Sequence, residues 1–153
     1  MPLLSGSHRA RRFFDRLAPL YDRINARIYK VEWLAKVRTA IRGRVLDVGV
    51  GTGFTTGHVS EAVGIDVSRE MMRRAHYRGH LLRADFMRPP FRDDTFDCIG
   101  LAGSFYYLPD PRAGMEIAAE AYDNPPDVRA LLDQAEERMF RLGGKRISRD
   151  FLP

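Results

Sequence analysis

The chain has 153 residues, 44% hydrophobic and 29% charged, the profile of one ordinary globular domain with room for a real core. No apolar run approaches the roughly 20 residues that span a bilayer, the first residues do not read as a signal peptide, and the lone Cys98 excludes an internal disulfide, so a cytoplasmic protein without a metal cluster is expected. The net charge of +5 is uneven: residues 1–44 hold 11 Lys/Arg against 3 Asp/Glu, which suits nucleic acid, an anionic substrate or simply a solvated helix face.

In chain order, Ser7 is placed to cap a short helix through Phe13, Phe14 and Leu17, and Pro19 suits the first turn of a second one. Along that second helix Leu20, Ile24, Ile28, Val31, Leu34 and Ile41 recur at threes and fours, with Gly43 as its stop. The following stretch, Arg44 to Phe54, organises the rest. Val45 to Val48 read as a buried strand, and glycines stand at 49, 51 and 53 before the chain is expected to turn helical. Glycine takes φ > 0 and lets a ligand approach the main chain, so this is a strand–loop–helix built to hold something. A dinucleotide fingerprint would need its third glycine where Phe54 stands, and the Walker lysine is absent.

An acid on the strand followed by G-x-G-x-G, here Asp47 before Gly49-Val50-Gly51-Thr52-Gly53, resembles the class I S-adenosylmethionine-dependent methyltransferases. The run Phe13-Phe14-Asp15-Arg16-Leu17-Ala18-Pro19-Leu20-Tyr21-Asp22-Arg23-Ile24-Asn25 is similar to the N-terminal signature of their ubiquinone/menaquinone-biosynthesis C-methyltransferase group. The resemblance implies a helical lid over the cofactor, with Tyr21 near its amino-acid end. Tyr21 reads equally as an amphipathic residue at a helix–core boundary.

After Gly53 a helix is expected to about Ser60, its N-terminus a seat for a carboxylate. Ala62 to Ser68 read as a second buried strand ending in an acid; Ser68 is an N-cap, and a helix carrying Met71, Met72 and Ala75 should end at Gly79. An acid at that strand end can accept hydrogen bonds from both hydroxyls of a ribose. The resemblance makes Asp66 that acid and puts Val67 and Met71 beside the adenine; a helix-start carboxylate and a core methionine are the plainer readings. Leu81 to Phe86 form a third strand. There the resemblance implies that Asp85 accepts from the adenine amino group, with Ala84 and Phe86 alongside; a strand-end turn is the alternative for Asp85.

Phe91 to Asp97 resemble the "P-F-x-D-x-S-F-D" entry to the family's fourth strand, here Cys98 to Ala102, with Cys98 a small buried hydrophobe. Leu101 and Ala102 at its end belong to the implied cofactor contacts, and Phe105, Tyr106 and Tyr107 are candidates for an apolar acceptor site or for core. Pro111 opens a helix carrying Ala113, Ile117, Ala118 and Ala121. Asn124-Pro125-Pro126 breaks the chain, and a last helix is expected from Asp127 to about Leu142. Leu142-Gly143-Gly144-Lys145 faintly echoes the family's "K-P-G-G" turn. The resemblance covers roughly residues 10–111 and fails beyond.

The fold expected is α/β: a truncated Rossmann-like methyltransferase domain of about four parallel strands in order 3-2-1-4, with helices on both faces. One domain spans 1–153, with a helical cover at 1–43, a cofactor-binding core at 44–111 and a helical C-terminal segment at 112–153. The function implied is transfer of a methyl group from S-adenosylmethionine to a small molecule, leaving S-adenosylhomocysteine. Catalysis would be mainly positioning, with no residue assigned as catalytic and no metal. A non-catalytic or degenerate S-adenosylmethionine-binding module, working as an oligomer or with a partner, is one alternative. An RNA methyltransferase is another, disfavoured because no N-P-P-Y-type motif or cysteine pair is present. With Phe96 to Ala102 as a sheet edge, a homodimer through that edge and the C-terminal helix is also expected.

Overall fold

The computed structural model describes residues 7–28 and 31–120 of the chain. Its first element, α1 (Ser7–Ile28), runs through Pro19 without interruption, so the expected division into two helices at that proline is corrected. Proline inside a helix costs on the order of 3 kcal/mol, because the N–H owed to the carbonyl four residues back is missing. Both halves of α1 are instead pinned to the body of the protein. Asp15 Oδ1 accepts from Ser68 Oγ at 2.6 Å, and Asp22 Oδ1 accepts from Thr52 Oγ1 at 2.6 Å. These carboxylates lie two turns apart on the side of the helix that also buries Ala18 and Asn25. The second helix, α2 (Val31–Ala40), begins after α1 ends.

Four strands follow: β1 (Val45–Val48), β2 (Ala62–Asp66), β3 (His80–Arg83) and β4 (Cys98–Gly100). They pair in parallel in the order β3-β2-β1-β4, as expected from the resemblance. β1 is the interior strand, every residue buried, and its Val48 sits opposite Ile65 while its Leu46 sits opposite both Val63 and Ile99. Alternation along β1 separates two faces. Leu46 and Val48 join Ile65, Phe86, Phe96 and Ala118 in the main core, Ala118 being supplied by the last described helix, α4 (Pro111–Glu120). A fully buried side chain such as Leu46 or Ile65 contributes roughly 1.5–3 kcal/mol. The alternate residue Asp47 is buried on the opposite face. At the strand's entry Arg44 grips Asp97 through its backbone N–H and its guanidinium, at 2.7 and 3.1 Å, which sets β1 against β4.

Three expected elements are shorter than their sequence suggests. Residues 54–59 form successive turns, not a helix. Gly57 donates to the Gly53 carbonyl, but the Gly57 carbonyl is taken by Arg78 N–H and the Thr52 carbonyl by His76 N–H. Those cross-links from 76–78 satisfy backbone groups that a helix would otherwise have to satisfy itself. The same bonds draw residues 75–78 out of helical geometry, so α3 (Arg69–Met72) has only four residues. Ser68 caps it as expected, its Oγ accepting from Met71 N–H. β3 stops at Arg83, leaving Ala84, Asp85 and Phe86 beyond the strand, and β4 stops at Gly100. Cys98 is half-buried and not a core residue. Among the described residues β4 has no strand on its outer side. The helix expected at 127–142, and the dimer contact assigned to it, lie outside the described residues.

Candidate functional site

The carboxyl ends of the strands and α1 enclose a cleft of about 720 Å³, its open mouth included. That is the size range of small-molecule sites, and it lies where the strand order reverses between β1 and β4. Each strand end supplies a wall. Val48, Gly49 and Gly51 come from β1 and its loop, Ile65, Asp66 and Val67 from β2, and Ala84, Asp85 and Phe86 from the segment after β3. Ala102, Gly103 and Ser104 follow β4, and Tyr107 comes from the short 3₁₀ turn Phe105–Tyr107. Ala10, Phe14 and Tyr21 of α1 close the cleft from above. Phe14 meets Tyr107 edge to face at 5.0 Å and Tyr21 at 6.0 Å, so the roof is aromatic and joins α1 to the segment after β4.

The glycine loop is shaped by contacts that exclude side chains. Gly49 has φ +70°, and a Cβ there would stand 2.4 Å from Ser104 Cβ. Asp66 knits this loop to the next turn: its Oδ2 accepts from Gly51 N–H at 2.9 Å and its Oδ1 from Ser68 N–H at 2.7 Å. Burial pushes the Asp66 carboxyl up, opposed by those backbone N–H bonds. A carboxylate has about four lone-pair sites, so two N–H donors leave it able to receive hydroxyls from the cleft. Asp85 Oδ1 accepts from Met87 N–H at 3.0 Å, which fixes the turn after β3. Ser104 Oγ is buried at the cleft wall without a hydrogen-bond partner.

Behind the loop, Asp47 is 3% exposed and accepts from the Thr56 hydroxyl. With that proton committed, Tyr77 donates its own to Thr56 Oγ1 across 2.8 Å. Burial is the main reason the Asp47 carboxyl is pushed up to about 6, with the Asp66 charge adding and the Thr56 hydrogen bond opposing. Burial likewise pushes the Tyr77 phenol up to about 12.

Residues 46–121 match the family model described as a methyltransferase domain. An uncharacterised protein of Methanocaldococcus jannaschii is 34% identical over 136 residues, covering 86% of this chain and 58% of the relative. The demethylmenaquinone methyltransferase of Lactiplantibacillus plantarum is 30% identical over 126 residues, covering 67% of this chain and 53% of the relative. The chain belongs to the class I S-adenosylmethionine-dependent methyltransferases. It spans only about half the length of these curated relatives. A crystal structure of an S-adenosylmethionine-dependent methyltransferase from Thermotoga maritima, titled a possible histamine N-methyltransferase, superposes with a TM-score of 0.63 at 24% identity. The match covers 72% of this chain and 56% of that one, and at such identity it speaks for the fold alone.

Of the residues singled out in the methyltransferase motifs, the cleft brings together Tyr21, Gly49, Gly51, Asp66, Val67, Met71, Ala84, Asp85, Phe86 and Ala102. Asp47, Val50, Thr52, Gly53 and Leu101 do not line it. Asp47 and Val50 are buried beneath the loop, Thr52 donates to Asp22 of α1, and Leu101 packs against the main core. The helix N-terminus expected after Gly53 is absent, so an anionic group in this cleft would meet loop backbone and hydroxyls, not a helix end.

Sequence reasoning missed Ser104, Phe14 as a wall, and the two carboxylates that hold α1 down. The repeat of an aspartate on each side of Ala18 at seven-residue spacing was the available signal for the last. Of the three aromatics after β4, Tyr107 reaches the cleft and Phe105 does not line it.

The family implies S-adenosylmethionine as the cofactor, and the residues present fit it. Gly51, with φ +55°, leaves a space that a Cβ would close against Met71 Cε at 3.1 Å. Asp66 retains acceptor capacity, Ser104 Oγ is unpartnered, and Val67, Met71 and Phe86 form an apolar wall beside Asp85.

Proposed function

We propose that this chain is the cofactor-binding part of a methyltransferase that alkylates a small apolar aromatic acceptor of the hydroquinone kind. The observation that carries the reading is one cleft holding a strand-end carboxylate, a glycine loop with no room for side chains, and an aromatic roof. Asp66 would hold the ribose, Asp85 and the Val67–Met71–Phe86 wall the adenine, and Gly49, Gly51 and Ser104 the amino-acid end. When bound, S-adenosylmethionine supplies an already activated methyl group on a sulfonium. The protein's contribution is then to orient both partners and keep water out, which is the province of Phe14, Tyr21 and Tyr107. The relative named for demethylmenaquinone supports a quinone-like acceptor, as does the aromatic character of the roof.

Calorimetry with S-adenosylhomocysteine tests the cofactor site. Asp66→Ala removes charge-assisted hydrogen bonds worth about 1.5–3 kcal/mol, so affinity should fall on the order of tenfold to a hundredfold. Equal affinity in the two proteins would remove Asp66 from the site. Transfer of labelled methyl from S-adenosylmethionine to a panel of hydroquinones and amines then tests the acceptor; preference for amines would overturn that half.

A further inference from the structure

Two of the three large apolar side chains exposed among the described residues stand on one helix. Phe13 is 42% and Leu20 53% exposed on α1. With the half-buried Leu17 and Ile24 they form a stripe at positions 13, 17, 20 and 24, the spacing of a single helix face. At roughly 100° per residue this stripe lies directly beside the cleft-lining residues Ala10, Phe14 and Tyr21. Phe13 touches Phe14 edge to face at 5.2 Å, so the exposed stripe continues into the aromatic roof.

On the stripe's other flank stand Arg9, Arg12, Arg16, Arg23 and Arg27, all exposed and none ion-paired to a described residue. The only acids of α1, Asp15 and Asp22, are turned the other way and spent on Ser68 and Thr52. The outer side of α1 is therefore an apolar stripe bordered by unopposed guanidinium groups.

We infer that α1 docks on the surface of an anionic phospholipid bilayer, Phe13 and Leu20 entering the headgroup boundary and the arginines pairing with lipid phosphates. The charge pattern matches an anionic surface, and exposed apolar side chains between that charge and the cleft distinguish a bilayer from a nucleic acid, which needs only the arginines. No helix among the described residues is long and apolar enough to cross a membrane, so the contact is interfacial. The geometry would let an apolar acceptor pass from lipid to the cleft along the Phe13–Phe14 contact. The docking itself does not depend on the methyl-transfer reading, because it is measured without turnover.

The experiment is flotation of the full chain with vesicles of phosphatidylcholine, alone or mixed with phosphatidylglycerol, over a salt series. The wild type should float with the mixed vesicles, remain behind with the neutral ones, and be released as salt rises. Phe13→Ser combined with Leu20→Ser should lower the partition about tenfold or more, with thermal melting reporting that the fold survives; should the pair unfold, Leu20→Ser alone carries the test. Arg16→Glu with Arg23→Glu should flatten the salt dependence. Absence of flotation, or flotation of the serine variant equal to wild type, overturns the proposal. So does a concentration-dependent dimer that the serine variant dissolves, which would make the stripe a contact between copies. RNA binding that the serine variant retains, without vesicle binding, would assign the arginines to nucleic acid.

Discussion

Asp47→Asn should change how stability depends on pH, and by an amount the structure specifies. The carboxyl is buried on the face of β1 away from the main core and is pushed up to about 6 from an ordinary 3.8, burial being the largest cause. The folded protein thus holds this proton more tightly than the unfolded chain does. Below about pH 4 both states are protonated and nothing is lost. Between about pH 4 and 6 the folded state binds more protons, so stability falls as pH rises; above about 6 the loss is complete and constant. Roughly two pH units at 1.36 kcal/mol each put the loss at about 3 kcal/mol. Asparagine keeps an acceptor for Thr56 and carries no charge to bury. Urea midpoints for both proteins from pH 4 to 8, with their difference taken to cancel all other titrations, give the measurement. The variant should be close to wild type at pH 4 and gain on it by about 3 kcal/mol by pH 7. A difference constant across that range, or a wild type that gains on the variant with rising pH, would refute the assignment of a costly buried charge beneath the glycine loop. Asp66, also pushed up by burial, remains in both proteins and leaves a slope of the same sign in each.

Gly49→Ala forces a Cβ to within 2.4 Å of Ser104 Cβ at φ +70°; left-handed strain of about 1–2 kcal/mol and overpacking of about 1–3 should destabilise the domain by roughly 2–5 kcal/mol in denaturant titration, and an unchanged midpoint would mean the loop is not held as described. Gly51→Ala, with only the mobile end of Met71 at 3.1 Å, should show the strain alone and lose less. Asp22→Ala removes the hydrogen bond to Thr52, worth about 0.5–1.5 kcal/mol, and should speed proteolytic cutting within α1, with S-adenosylhomocysteine slowing it again. Cutting equal to wild type would show that α1 stays closed without that bond.

Much of the fold was legible in the chain because its information is local. A run such as Val45 to Val48 followed by glycines, or Ser68 after an acid-ended strand, satisfies backbone geometry through its own residue types, and those elements stand where the motifs put them. Strand order was legible only through the family resemblance, since parallel pairing joins residues far apart in sequence. What the sequence could not show was where backbone groups find distant partners. Residues 54–59 have the composition of a short helix, yet Arg78 and His76 take their carbonyl bonds, and that exchange removes one helix and shortens another. Pro19 reads as a helix start by its fixed φ, yet Asp15 and Asp22 hold the helix together across it through side chains on other elements. The site divides in the same way. Asp66 and the glycines declared themselves through type and spacing, whereas tertiary packing alone turned Asp47 under the loop, left Ser104 Oγ unpartnered and brought Phe14 against Tyr107. Each of those outcomes depends on burial and on contacts between segments, quantities that no stretch of this chain carries by itself.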